Sequence, residues 1–253
     1  MRSIGMAIAL ALGSLVPASA ESGDARALLD RMIEAHGGYE DWANAPSIRF
    51  EDRWSNGREF AVTTEPGSRR AYLESPDGAT RIAWDGEQCW SLGYDGKAPP
   101  RFLYNLTWYF VNLPWVTRDP GVVLAEPREE RLFDAPTPSL VVRMTYEPGV
   151  GDTPRDWYDL FLDPATFRLQ ACRYVVTYGA LLPPGVESTP PHVLVYEDWT
   201  IEDGLMVPTR FVIREEDGAE YARCEISGWS FREPFEASRL AAPPGAVVDR
   251  SEP

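Results

Sequence analysis

The chain has 253 residues and a formal net charge of −15 at pH 7, and its composition is 44% hydrophobic and 12% aromatic. Nucleic acids and anionic lipid surfaces bind basic proteins, so this acidity argues against a nucleic-acid partner and against a polybasic attachment to membranes. The hydrophobic content is enough to build one large core without a disulfide framework.

Residues 1–20 have the pattern of a secretory signal peptide. Arg2 supplies a positive start, residues 4–16 are apolar and uncharged, and Ala18 and Ala20 provide a small-x-small end before Glu21. The apolar run is shorter than the roughly 20 residues that a membrane-spanning helix needs. We therefore expect cleavage after Ala20, no stable membrane insertion, and a mature protein that is periplasmic or secreted.

An amphipathic helix is predicted from Asp24 to His36. Asp24 can cap its N-terminus, apolar residues recur at helical spacing, and Gly37-Gly38 can end it. A further helical turn that carries Trp42 is expected before Pro46.

From Ser47 onward the period of the apolar residues changes from helical to two, which is typical of strands with one buried face. The alternating runs are Phe60, Val62 and Thr64; Ile82 and Trp84; Leu140, Val142 and Met144; Cys172 to Tyr178; and Val207 to Ile213. Hairpin dipeptides separate the runs, namely Asn56-Gly57, Asp77-Gly78, Asp85-Gly86, Asp203-Gly204 and Asp217-Gly218. The short spacings predict a meander of antiparallel strands, and no βαβ alternation supports a parallel sheet.

The segment 101–115 departs from this pattern. On a helix its apolar and aromatic side chains form two stripes, one through Leu106 and Tyr109 and the other through Trp108 and Val111. A surface helix needs only one apolar stripe, so two stripes predict burial on two sides. The segment is therefore either a core helix or a lid whose second side contacts a ligand.

Pro-rich stretches are the main interruptions of the strand pattern. Residues 180–191 form one long loop, and Pro243-Pro244 lies in a stretch that begins near Ala237. We expect a single domain over residues 21–236 and a weakly ordered tail over residues 237–253.

The sequence contains few residues of the types that usually carry catalysis. His36 and His192 are the only histidines, which excludes a His-rich metal site, and no common catalytic or nucleotide-binding motif is present. His36 falls at the end of a helix, where a structural role is favoured over a catalytic one. We expect no catalytic residue, no metal and no cofactor.

Pairs of carboxylates could in principle act on a sugar. Neighbouring residues of a strand point to opposite faces, so Glu197 and Asp198 should not share a site. Asp156 and Asp159, three residues apart, should also face differently. A carbohydrate-active enzyme or sugar-binding module is thereby disfavoured but kept as an alternative.

Cys89, Cys172 and Cys224 are an odd number of thiols for an exported protein. Two predicted strands separate Cys172 from Cys224, which in a meander places them three strand spacings, or roughly 14 Å, apart. A disulfide needs Cα atoms within about 7 Å. We expect buried, unpaired thiols.

The layout of a leading helix, a long run of antiparallel strands and an inserted helical segment resembles the LolA/LppX-like superfamily of periplasmic lipoprotein carriers, and two short motifs resemble its outer-membrane lipoprotein-sorting-like branch. The first is Ala35-His36-Gly37-Gly38 followed by Trp42, and the second is Glu197-Asp198-Trp199 leading to Asp203-Gly204-Leu205-Met206-Val207-Pro208-Thr209. The resemblance implies a curved antiparallel half-barrel in a mainly β, α+β protein, with an N-terminal helix and a helical lid. It also implies a hydrophobic cavity for acyl chains between the sheet and the lid.

The favoured hypothesis is a non-enzymatic binding protein for a lipid or other apolar ligand. The predicted cavity residues are Leu103, Leu106, Trp108, Tyr109, Phe110 and Leu113 on the lid, with Phe60, Trp84 and Phe211 on the sheet. A protein with a solid core that binds another protein through its surface is the main alternative.

Overall fold

The computed structural model describes residues 24–251, so the expected signal peptide and its cleavage site lie outside the described residues. The three α-helices among these residues are α1 (Ala25–Ala35), α2 (Glu40–Ala43) and α3 (Pro100–Val116). The backbone N–H of Arg26 donates to Asp24 Oδ1 at 3.0 Å, which confirms Asp24 as the cap of α1. Gly37 and Gly38 take φ values of +101° and +92° and end the helix.

The first part of the sheet is a meander of five antiparallel strands in chain order. These are β1 (Ile48–Trp54), β2 (Glu59–Thr64), β3 (Ala71–Glu74), β4 (Arg81–Trp84) and β5 (Cys89–Leu92). The predicted hairpins at Asn56-Gly57, Asp77-Gly78 and Asp85-Gly86 join β1 to β2, β3 to β4 and β4 to β5. Each glycine has a positive φ, the conformation that tight hairpin turns require.

A second antiparallel meander follows α3. Its strands are β6 (Val122–Leu124), β7 (Arg128–Glu130), β8 (Ser139–Tyr146), β9 (Tyr158–Leu162), β10 (Leu169–Tyr174), β11 (His192–Glu202), β12 (Leu205–Glu215) and β13 (Glu220–Ser230). β6 and β7 pair with successive parts of β8, and β8 to β13 pair in chain order. The predicted hairpins at Asp203-Gly204 and Asp217-Gly218 join β11 to β12 and β12 to β13.

The two meanders are joined into one sheet by the pairing of β1 with β13. The resulting strand order is β14-β5-β4-β3-β2-β1-β13-β12-β11-β10-β9-β8-β6, with β14 at Val247–Val248. Within the described residues the strands at the two ends of this order do not pair with each other, so the sheet stays open. The predicted mainly β, α+β half-barrel is confirmed.

Helices α1 and α3 contact each other and lie on the concave face of the sheet, where the largest hydrophobic core forms. The second half of α3 is completely enclosed: Leu113, Trp115 and Val116 are 0% exposed. This part of the segment is therefore a core helix, as its two apolar stripes predict.

The C-terminal segment up to Ser251 differs from the weakly ordered tail expected from its sequence. Leu240 is buried beside Trp90, whose Nε1 donates to Leu240 O at 2.7 Å, on the outer face of the first meander. Val247 and Val248 pair with β5, and Asp249 Oδ2 accepts from Arg101 N at 2.7 Å. After Pro243-Pro244, these long-range contacts hold the chain along the edge of the sheet.

β10 is shorter than its alternation pattern predicts. The strand ends at Tyr174, although the apolar alternation continues to Tyr178. The reason is that the backbone N–H of Thr177 donates to the side chain of Asp156, at 2.7 Å, instead of to a neighbouring strand.

The strand order separates Cys172 on β10 from Cys224 on β13 by the two intervening strands β11 and β12, as predicted. Both thiols, and that of Cys89, are buried and unpaired. Burial raises the pKa of each of them, which keeps them in the thiol form.

Candidate ligand-binding site

A cavity of about 440 Å³ lies between the first half of α3 and the strands β8, β9 and β10. The hairpin between β2 and β3, the turn after α3 and the loop between β8 and β9 complete its boundary. Apolar and aromatic side chains in its lining include Phe102, Leu106, Tyr109, Phe110, Val150, Tyr174 and Val176. Such a mixture of apolar surface and a few polar groups is typical of small-molecule sites.

The local sequence explains how α3 reaches this position. Pro100 is the first helical residue, where a missing N–H is harmless, and Asp249 accepts from the N–H of Arg101. Further along, Trp42 Nε1 on α2 donates to Asn112 Oδ1 at 2.7 Å, and Tyr196 OH donates to Phe110 O at 2.6 Å. These buried hydrogen bonds fix the helix against α2 and β11.

Six tyrosines line the cavity: Tyr39, Tyr109, Tyr146, Tyr158, Tyr174 and Tyr178. The hydroxyls of Tyr109 and Tyr146 are hydrogen-bonded across the cavity, from α3 to β8. Burial raises the pKa of Tyr146 to about 12 and raises the pKa values of Tyr109 and Tyr158 well above their usual range, so all three hydroxyls stay neutral.

Two ion pairs connect the elements at the rim of the cavity. Arg101, at the start of α3, holds Asp152 of the β8–β9 loop through two hydrogen bonds of 2.6 and 2.8 Å. Arg69, in the β2–β3 hairpin, pairs with Asp119 in the turn after α3. Arg69 has a φ of +57°, a conformation that a non-glycine residue adopts at a cost. Burial raises the pKa of Asp119, against the opposing effect of Arg69.

The structure brings Leu106, Tyr109 and Phe110 of the predicted set into the cavity lining. The other predicted residues lie elsewhere: Leu103, Trp108, Leu113, Phe60 and Phe211 are buried in the hydrophobic core, and Trp84 stacks on Tyr104 at 5.6 Å. The reason is geometric, because the other sides of α3 pack against the sheet and α1, so only one side of residues 101–110 borders the cavity.

Sequence reasoning missed the tyrosines of β8, β9 and β10 as site residues and named Asp156 only as a possible carboxylate partner of Asp159. Tyr174 and Tyr178 stood in an alternating pattern and could have been chosen from it. Tyr146 and Asp156 carry no local signal, since only the pairing of β8 with β9 brings them near α3.

The expectation that Glu197 and Asp198 cannot share a site is wrong. The register between β11 and β12 shifts on both sides of Asp198, and Arg210 contacts both carboxylates, at 2.8 Å from Glu197 and 2.6 Å from Asp198. A β-bulge places two successive residues against one partner residue, which suspends the strict alternation of faces.

Asp156 and Asp159 face differently, as predicted. Asp156 lines the cavity, where burial raises its pKa. Asp159 is 0% exposed beneath Arg128, Arg143 and Arg173. Burial raises the pKa of Asp159, but the hydrogen bonds from these guanidinium groups outweigh it and hold the pKa at about 2.

The half-barrel and the helix in its concavity are the architecture that the resemblance to the LolA/LppX-like superfamily implies. A DUF1329 family protein from Desulfovibrio piger ATCC 29098 has a similar structure, with a TM-score of 0.51 and 10% sequence identity over 85% of this chain and 96% of that chain. The LolA superfamily protein NE2245 from Nitrosomonas europaea gives a TM-score of 0.49 at 12% identity, over 86% of this chain and 97% of that chain. At these identities the likeness concerns the fold alone.

No protein-family model matches the sequence, and no curated protein matches it. Among residues 24–251, no helix combines the length and the apolar character needed to cross a membrane.

Proposed function

We propose that the protein binds a hydrophobic small molecule, a lipid or another ligand with an acyl chain, in the cavity between α3 and strands β8 to β10. The main support is that this cavity is lined by apolar and aromatic side chains together with a few charged ones, two of which are arginines paired with aspartates. Its volume of about 440 Å³ falls within the range of small-molecule sites. The role is binding without a chemical step.

Hydrophobic burial supplies enough free energy for such binding. About a dozen methylene groups at roughly 0.8 kcal/mol each contribute on the order of 10 kcal/mol. Association and the ordering of the ligand cost several kcal/mol, which leaves an affinity between millimolar and micromolar.

The cellular location belongs to the same proposal. The N-terminal sequence has the pattern of a secretory signal peptide, so the protein would meet its ligand in the periplasm or outside the cell. A carrier of apolar molecules is useful there, because such molecules cross aqueous compartments poorly.

Native mass spectrometry of freshly purified protein tests the proposal directly. We expect an additional mass that organic extraction removes, and we expect the extracted protein to bind the neutral apolar dye N-phenyl-1-naphthylamine. Leu106→Arg should abolish dye binding, because it places a charge in the cavity. Ile201→Arg is the matched control, because Ile201 is 66% exposed on the β11–β12 hairpin. Absence of both bound mass and dye binding would favour the surface-interaction alternative.

A further inference from the structure

Asp156 is a buried carboxylate in the cavity lining with neutral hydrogen-bond partners. It is 5% exposed, and its Oδ1 accepts from the backbone N–H and the hydroxyl of Thr177, both at 2.7 Å. Its Oδ2 accepts from Tyr158 OH at 3.3 Å, a long hydrogen bond. Among the described residues no arginine, lysine or histidine forms an ion pair with it.

The other two carboxylates of the cavity are already neutralised. Asp119 pairs with Arg69, and Asp152 pairs with Arg101. Both arginines in the lining are thus engaged, and Asp156 is left as the uncompensated negative charge. Buried charges in proteins are normally paired, because the loss of hydration is costly otherwise. Burial raises the pKa of Asp156, and only neutral hydrogen-bond donors oppose this effect.

Aromatic rings surround the same region. Tyr158 donates to Asp156 and lies 5.1 Å from Tyr109, measured between ring centroids. Tyr174 stacks on Tyr158 at 6.4 Å, and Tyr146 adjoins Tyr109 through their hydroxyls. The faces of such rings carry partial negative charge and attract cations, quaternary ammonium groups in particular.

We propose, on the basis of the proposed function, that the polar end of the ligand is a cation, a protonated amine or quaternary ammonium group, held by Asp156 among the tyrosine rings. The chain's net charge of −15 attracts cations at long range and repels anions. A fatty-acid carboxylate would meet Asp156 with no free arginine to balance it. The ligand class is thus a cationic amphiphile and not a fatty acid.

Amphiphiles with the same chain and different headgroups test this assignment. Dodecyltrimethylammonium, dodecanoate and dodecyl maltoside, each below its micelle-forming concentration, would be titrated against protein loaded with N-phenyl-1-naphthylamine. We expect dodecyltrimethylammonium to displace the dye at a concentration at least about tenfold lower than dodecanoate does, since an ion pair and cation–π contacts favour it. Equal displacement by all three, or preference for dodecanoate, would overturn the cation assignment and leave the hydrophobic site intact. Failure of all three would overturn the proposed function itself.

Substitutions test whether Asp156 causes the preference for dodecyltrimethylammonium. Asp156→Asn should reduce the affinity for dodecyltrimethylammonium about tenfold or more and leave that for dodecyl maltoside unchanged. Asp134→Asn is the control, because it removes the same charge from an exposed position. Tyr146→Leu removes one aromatic ring and keeps the carboxylate, so it should weaken binding of the cation selectively. This variant provides the test if Asp156→Asn fails to fold. An unchanged preference in a folded Asp156→Asn or Tyr146→Leu protein would refute the assignment.

Discussion

His36 and Met206 are joined by two hydrogen bonds although they lie 170 residues apart. Met206 N donates to His36 O at 3.0 Å, and His36 Nδ1 donates to Met206 O at 3.1 Å. Leu169 N donates to the other ring nitrogen, Nε2, at 3.2 Å, so the ring is a neutral imidazole with its proton on Nδ1. The two motifs that indicated the fold therefore contact each other, and His36 is structural.

Acidification should destabilise the protein through His36. Burial lowers the pKa of His36 from 6.5 to about 4, so the unfolded chain binds a proton in this interval that the folded protein does not. The stabilisation is present above pH 6.5 and is lost as the pH falls towards 4, by about 3 kcal/mol in total. Urea unfolding at pH 7 and at pH 4.5 measures this loss of unfolding free energy. His36→Gln should be less stable at pH 7 but should lose less stability on acidification; equal losses would contradict the assignment.

Gly37→Ala should destabilise the protein far more than Gly38→Ala. Both glycines have positive φ, which costs roughly 1 kcal/mol for alanine. A Cβ on Gly37 would clash with Gly204 O, whereas one on Gly38 would have no neighbour within 4 Å. We therefore expect at least about 2 kcal/mol of additional loss for Gly37→Ala, since the clash is with backbone. The midpoints of urea unfolding of the two variants measure this difference. Equal midpoints would show that the segments around Gly37 and Gly204 can move apart freely.

Leu106→Arg and Trp108→Arg should separate binding from folding. Leu106 borders the cavity, so arginine there can reach solvent and the fold should persist. Trp108 is 1% exposed within the core, so a buried charge there should unfold the protein. Circular dichroism distinguishes the two outcomes. A folded Trp108→Arg protein would mean that the core around α3 is looser than its packing indicates.

Asp159→Asn should cost about 3 kcal/mol of unfolding free energy, because it leaves three guanidinium groups without their buried partner. Glu130→Gln is a suitable comparison. Glu130 pairs with Arg128 and Arg173 at 2.8 Å but is partly exposed, so its loss should cost less than about 1 kcal/mol. Chemical denaturation at neutral pH provides both values, and similar losses would argue that Asp159 is solvated.

All three cysteines should be free and protected. In the folded protein a thiol reagent should react slowly with each, since Cys89, Cys172 and Cys224 are buried. In denaturant without reductant, titration should find three thiols per chain. Peptide mapping that recovered a Cys172–Cys224 disulfide would contradict the strand order.

The local signals in the sequence were sufficient for α1 and for the five antiparallel hairpins whose turns carry Asn-Gly or Asp-Gly. They did not indicate β6, β7 or β14, or the pairing of β1 with β13. Features that depend on distant segments were not predictable in the same way. The side of α3 that borders the cavity depends on how the helix lies in the half-barrel, and the contacts of residues 237–251 depend on the exposed edge of β5. The bulge at Glu197-Asp198 is a register shift that alternation alone cannot reveal.

The pairing of β1 with β13 constrains the order in which the chain can fold. This contact lies in the middle of the sheet, yet its register, which includes Arg49 opposite Ser230, joins segments from near the two ends of the domain. During synthesis the chain can form the first meander early, but it cannot pair β1 with β13 until β13 has been synthesised. Folding of the whole domain is therefore non-local and slow compared with that of its hairpins. The complete sheet can therefore form only when synthesis of the domain is nearly finished.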